Sequence, residues 1–212
     1  MRFETAARNY AEEPLTRQLI LNMLREYKRP NDKVNELMKQ GKLLAVKRGL
    51  YVPGPELGIA GPEPFLVANH LWGPSYVSLE SALSHWGLIP ERVYEVSSVT
   101  LKSSKNFKTP SGRFQYIHAS MPYYAFGIKS LQLTPRQTVL IASPEKALCD
   151  KIVVTSGIAL RSIRQTQDFL LEDLRINEES LHQLDLAVIH AWKEDAPKKS
   201  SLEMLIKTIE VL

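Results

Sequence analysis

The 212-residue chain is 44% hydrophobic and 24% charged, the ordinary mix of a folded globular protein, which excludes a disordered, collagen-like or disulfide-stapled scaffold. Its single cysteine, Cys149, cannot close an intramolecular disulfide or supply a thiolate set for structural zinc, so a reducing cytoplasm is the expected setting. Export and membrane spanning are not expected: residues 1–5 carry polar and acidic groups where a signal peptide needs apolar ones, and no later stretch approaches ~18 uninterrupted apolar positions.

The formal charge of +4 is unevenly spread. Residues 17–48 hold nine Lys or Arg against three acids, a net +6, leaving −2 for the remainder. That distribution predicts a basic character local to one segment, the footprint of a phosphate-binding module.

Between residues 14 and 27, Leu15, Leu19, Ile20, Met23 and Leu24 recur with the spacing of an amphipathic helix. Pro30 suits the first turn of a second helix, over 30–40, with Val34, Leu37 and Met38 on its inner face and Gly41 as its stop. Short strands are predicted over 43–46 and 50–52, joined by the turn Lys47-Arg48-Gly49. Helix, turn, helix and β-hairpin is the winged helix-turn-helix order. The Pro- and Gly-rich run 53–64 reads as a linker, dividing the chain into a DNA-binding domain (1–58) and a larger α/β domain (59–212).

Beyond the linker the pattern predicts a helix over 64–72 and another after Ser78, whose hydroxyl is placed to cap it, with Leu79, Ala82, Leu83 and Trp86 inward and Gly87 as the stop. Strands are predicted over 93–101, 113–119, 123–128 and 137–142, in a mainly antiparallel sheet. Ser143-Pro144-Glu145 opens a further helix, and helical spacing continues from about 161 to the C terminus with breaks near Asn177 and Pro197. The fold class is therefore α+β: a winged helix-turn-helix, then a larger α/β domain with a mainly antiparallel sheet and C-terminal helices.

The helix over 30–40 is the strongest functional element. With Val34, Leu37 and Met38 inward, Asn31, Asn35 and Lys39 share another side and Lys33 flanks them. Asn can make paired hydrogen bonds to adenine edges in the major groove, whereas Lys and Arg mostly meet phosphate oxygens. Arg29 at the helix start, and Lys47 and Arg48 at the hairpin tip, complete the expected DNA-binding set. Asp32 and Glu36 run against that set, and a solvated basic helix is the plain alternative.

Three stretches resemble the AbiEi family of antitoxins. Gly41, the strand after it and Arg48-Gly49-Leu50-Tyr51 are similar to that family's N-terminal signature. Tyr76, Ser78, Ala82-Leu83 and Gly87-Leu88 are similar to a second motif, and Ser143-Pro144-Glu145-Lys146-Ala147-Leu148 with Asp150 to a third. Together they span roughly residues 15 to 155. The resemblance implies an antitoxin that represses its own operon by binding operator DNA, paired with a nucleotidyltransferase-like toxin that it counteracts without a lasting complex. The start Pro30-Asn31-Asp32 departs from the polar, often arginine-containing start of such helices, so operator identity does not carry over.

A ligand-responsive transcription factor and a nucleic-acid-processing enzyme are the other readings. Against the enzyme, none of His70, His85, His118, His182 and His190 forms a metal-binding pair, and no glycine loop for phosphate is present. Cys149 reads as a small buried apolar residue and His85 as a packing histidine. Glu145 and Asp150, five apart on one helix, do not converge on a metal, and Tyr123, Tyr124 and Phe126 read as core. No catalytic residue, cofactor or metal is expected.

Overall fold

Two apolar clusters organise the chain in the computed structural model, which describes residues 3–212. The smaller cluster is built by α1 (Phe3–Arg8), β1 (Leu15–Thr16), α2 (Arg17–Met23), α3 (Pro30–Lys39) and the hairpin β2 (Leu43–Lys47) and β3 (Leu50–Pro53). Phe3, Leu15, Ile20, Leu24, Leu37 and Leu43 form its centre. The strand order is β1-β3-β2, all antiparallel.

The helix expected over 14–27 is shorter than its apolar stripe. Leu15 and Thr16 pair with Tyr51 and Leu50 as a strand, and Thr16 then caps α2 by accepting from the Leu19 N–H at 3.2 Å. Leu15 is thus buried by sheet pairing, which produces the same apolar signal as a helical position. The second helix forms as read, with Pro30 in its first turn and Gly41, at φ +67°, beyond its end.

The larger unit centres on a six-stranded sheet, order β6-β7-β5-β4-β9-β8, from β4 (Ser75–Val77), β5 (Glu95–Thr100), β6 (Lys105–Thr109), β7 (Gly112–His118), β8 (Ile128–Thr134) and β9 (Gln137–Ala142). It is mainly antiparallel, with β4 parallel to β9 and β5 parallel to β7. Around it pack α4 (Pro64–Leu71), α5 (Leu79–His85) and α6 (Pro144–Val154). The C-terminal helices are α7 (Ile163–Gln167), a π-helical turn (Asp168–Asp173), α8 (Glu178–His182), α9 (Leu186–Trp192) and α10 (Lys199–Ile209).

The strand expected over 123–128 is not formed, and only its last residue, Ile128, enters a strand, as the start of β8. Tyr123–Ala125 is a 3-10 turn closed by Ala125 N–H to the Pro122 carbonyl, and both Tyr123 and Tyr124 are buried in it. Ser78 does not cap α5 either; its hydroxyl donates to Asp150 Oδ2 at 2.7 Å. Ser143 does cap α6, accepting from the Lys146 N–H.

Lys146 and Asp150, one turn apart on α6, are both fully buried and pair at 3.0 Å. The Lys146 ammonium also donates to the Tyr123 carbonyl and stands 3.2 Å from the Tyr123 ring centre. Asp150 Oδ2 accepts from Tyr76 as well as Ser78, so one carboxylate ties α6 to β4 and the turn after it. Burial pulls the Lys146 pKa down while the Asp150 charge opposes it. Lys146→Met is expected to lower unfolding stability by about 3–5 kcal/mol, because the buried Asp150 loses its ion-pair partner. The double change Lys146→Met with Asp150→Leu is expected to recover a large part of that loss in chemical denaturation.

The two units are also tied by Glu12, which accepts from Thr134 Oγ1 at 2.8 Å and Gln137 Nε2 at 3.0 Å. These bonds hold its carboxyl below the ordinary value of 4.5. The tie is therefore complete above that value and is lost as pH falls through the lowered folded one. The protection factor of the Glu12 amide, which donates to the Ala60 carbonyl, is expected, once corrected for the intrinsic pH dependence of exchange, to fall on acidification in the parent and to stay constant with pH in Glu12→Gln.

Candidate nucleic-acid interface

The inner face of α3 gives Val34 and Leu37 to the small core, which forces Asn31, Asn35 and Lys39, at successive four-residue steps, to the outside. Asn35 and Lys39 are exposed and make no side-chain hydrogen bond or ion pair among the described residues. Arg48 is likewise exposed and unpaired at the tip of the β2–β3 hairpin, where Gly49 takes φ +85° to close the turn. The tip adjoins the start of α2, since the Arg17 N–H donates to the Gly49 carbonyl at 2.9 Å.

The other sequence-selected residues are engaged. Asn31 Oδ1 accepts from Arg17 Nη2 at 2.7 Å, so its carbonyl is occupied and Arg17 is steadied beside α3. The paired donor and acceptor needed for adenine is therefore presented by Asn35 and not by Asn31. Arg29 pairs with Asp32 at 2.6 Å and Lys33 with Glu36 at 2.8 Å, with Lys33 also 5.6 Å from the centre of the Tyr27 ring. The Lys33 bond raises the lysine pKa and lowers that of Glu36. Asp32 and Glu36 sit on the exposed face of α3 with their charge met locally. Such exposed pairs are weak and screened by salt, so a phosphate can exchange for the carboxylate.

Lys47 departs from the expected set. Val46 is the extra residue of a β-bulge, across which the pairing jumps from Ala45 with Tyr51 to Lys47 with Leu50. The bulge buries Val46 in the larger core and turns Lys47 toward α4, where its ammonium donates to the carbonyls of His70 and Leu71. Lys47 thus caps the C terminus of α4, and Arg48 alone carries the tip's outward charge. Burial, with a smaller contribution from Lys102, lowers the Lys47 pKa, and Lys47 in turn helps burial hold His70 below its ordinary value.

Sequence reasoning passed over Arg17, Arg25 and Lys28, all exposed around the α2–α3 turn. Arg17 opens both α2 and the basic segment already counted, and that count was the available signal.

The residues weighed for catalysis are separated. Glu145 accepts from Ser143 Oγ and from the Asp185 N–H, while Asp150 lies in the buried network with Lys146, Tyr76 and Ser78. Burial raises the pKa of the fully enclosed Cys149 thiol. His85 is exposed, with its ring edge-on to Phe65 and Trp86. Among the described residues no group of three or more His, Cys, Asp or Glu is arranged to hold a metal ion, and no helix is long and apolar enough to cross a membrane.

The architecture is that of a mixed helix-and-sheet protein with a mainly antiparallel sheet and C-terminal helices. Its fold is similar to that in the crystal structure of the RV2827C protein from Mycobacterium tuberculosis: TM-score 0.54 at 15% identity, covering 98% of this chain and 79% of that one. No protein-family model and no curated protein matches the chain.

Because Lys47 acts inside the molecule, Lys47→Ala is expected to cost about 1–2 kcal/mol in unfolding stability. It is expected to leave the salt dependence of any nucleic-acid binding unchanged. Denaturation paired with a binding titration across salt concentrations checks both halves.

Proposed function

We propose that residues 1–58 form a winged helix-turn-helix that binds duplex DNA, and that the chain is a transcriptional regulator of the AbiEi antitoxin type. The observation that carries this reading is the exposed, unpaired row of Asn35 and Lys39 on α3, with Arg48 at the hairpin tip and Arg17 beside them, backed by a face buried in the small core. A helix held by its inner face presents its outer residues with little freedom to lose on binding, which suits a groove reader. Arg29 and Lys33 serve as phosphate contacts after giving up Asp32 and Glu36.

In this reading the regulator occupies the operator of its own operon, and residues 59–212 counteract a nucleotidyltransferase-like toxin without a stable complex. No chemistry on a substrate, cofactor or metal is involved, and the setting is the cytoplasm. One observation favours a ligand-responsive regulator as the second reading: a cavity of about 410 Å³ lined by Ile89, Phe169 and Leu174 with Glu80, Glu91 and Lys151. That volume is within the range of small-molecule sites. Growth rescue on co-expression with the neighbouring gene supports the antitoxin reading, and its failure alongside intact operator binding favours the second.

Gel-shift titration on the chain's own upstream DNA tests the binding itself, and no shift at low salt would end the proposal. Lys39→Gln with Arg48→Gln is expected to weaken binding to every sequence and to flatten the slope of log K against log salt by about 2, near one unit per lost phosphate contact. Asn35→Ala is expected instead to reduce discrimination between operator and random DNA by about 1–3 kcal/mol, leaving the slope unchanged.

A further inference from the structure

Basic character is not confined to residues 17–48. Residues 96–144 contain Lys102, Lys105, Lys108, Arg113, Lys129 and Arg136 and no Asp or Glu, a second net +6 that the acidic remainder of the chain conceals in the total. Four of these cations gather on and beside β6, the strand at one edge of the large sheet, which adjoins β2 of the hairpin.

Two features of this edge bring like charges together. Lys102 and Lys105 both stand over the indole of Trp72, at 4.8 and 4.7 Å from its centre, and neither makes an ion pair among the described residues. Lys108 and Arg113 are directly opposed partners across β6 and β7, both exposed, where like charges repel.

The loop carrying Lys102 is fixed rather than loose. Trp72 Nε1 donates to the Ser103 carbonyl at 3.1 Å, the Lys102 N–H to Thr100 Oγ1 at 3.2 Å, and the His118 N–H to Ser104 Oγ at 2.9 Å. Trp72 itself is braced by Phe107, ring centres 5.7 Å apart. Lysines on an edge strand also discourage strand-to-strand aggregation, which accounts for Lys108. It does not account for Lys102, which lies outside the strand, or for two ammonium groups held over a single ring.

We propose that Lys102 and Lys105 over Trp72, continued by Lys108 and Arg113, bind the phosphodiester backbone of duplex DNA beyond the stretch engaged by α3 and the hairpin tip. A phosphate between the two ammonium groups relieves their repulsion and takes charge-assisted hydrogen bonds from both, while the indole keeps the pair in place. The inference rests on the DNA-binding reading above and extends its footprint to the larger unit.

The test uses the full chain and random-sequence duplex DNA over a range of potassium chloride concentrations, with hydroxyl-radical footprinting on the operator. Gln keeps an aliphatic stem over Trp72, so Lys102→Gln with Lys105→Gln preserves packing, and an unchanged unfolding midpoint verifies it. This variant is expected to flatten the salt slope by about 2, independently of Lys39→Gln with Arg48→Gln, and to shorten protection on one flank. Unchanged slope and footprint in the Trp72 pair, with a flattened slope in the Lys39 and Arg48 pair, overturns this inference and leaves the DNA-binding reading standing. Absence of duplex binding by the parent overturns that reading itself. A loss on single-stranded RNA with none on duplex DNA overturns the duplex assignment.

Discussion

The ammonium of Lys47 on the last carbonyls of α4 is the contact on which the geometry of the exposed basic surface depends. A helix leaves its final carbonyls without partners and carries partial negative charge there, so a half-buried lysine is a fitting cap. Because this lysine comes from the hairpin, the cap also fixes the hairpin against the large sheet. The bulge at Val46 is what allows it: one extra residue puts Val46 into the larger core and Lys47 over α4. Lys198 follows the same logic at the end of α6, where its ammonium donates to the carbonyls of Ile152 in the last turn and of Thr155 and Ile158 beyond it.

The chain thus uses its cations in three ways. Lys47, Lys146 and Lys198 are internal and serve backbone carbonyls or a buried carboxylate. The exposed Arg29 and the partly buried Lys33 are held by acids of α3. Lys39, Arg48, Lys102, Lys105 and Lys108 have no carboxylate partner among the described residues. Only the third group offers charge to a polyanion without first breaking a bond, and its members lie on α3, the hairpin tip and the adjoining sheet edge. A formal total of +4 conveys none of this, since the same total arises from many distributions.

What was legible in the sequence was local. The start of α3 at Pro30, the turn at Gly49 and the Ser143 cap each depend on residues within a few positions, and each is present. What was not legible depended on distant partners. Leu15 is buried by Tyr51 and Leu50 across a sheet, Ser78 is drawn from its expected cap by Asp150, and Lys47 is redirected by a bulge that leaves no mark in the alternation of apolar residues. Asn31 is a similar case, since its engagement with Arg17 bridges two helices. The acid-free stretch around β6 could have been counted from the sequence, but its placement beside the hairpin could not.

The bulged hairpin also bears on whether the first 58 residues can be treated as a portable part. Its two strands contribute Leu43 to one core and Val46 and Val52 to the other, so cutting after the Pro- and Gly-rich run bares two valines and strips Lys47 of both acceptors. Grafting the basic helix onto a different partner would require α4 to travel with it. By the same reasoning the hairpin is common to both cores, so neither half is enclosed without the other.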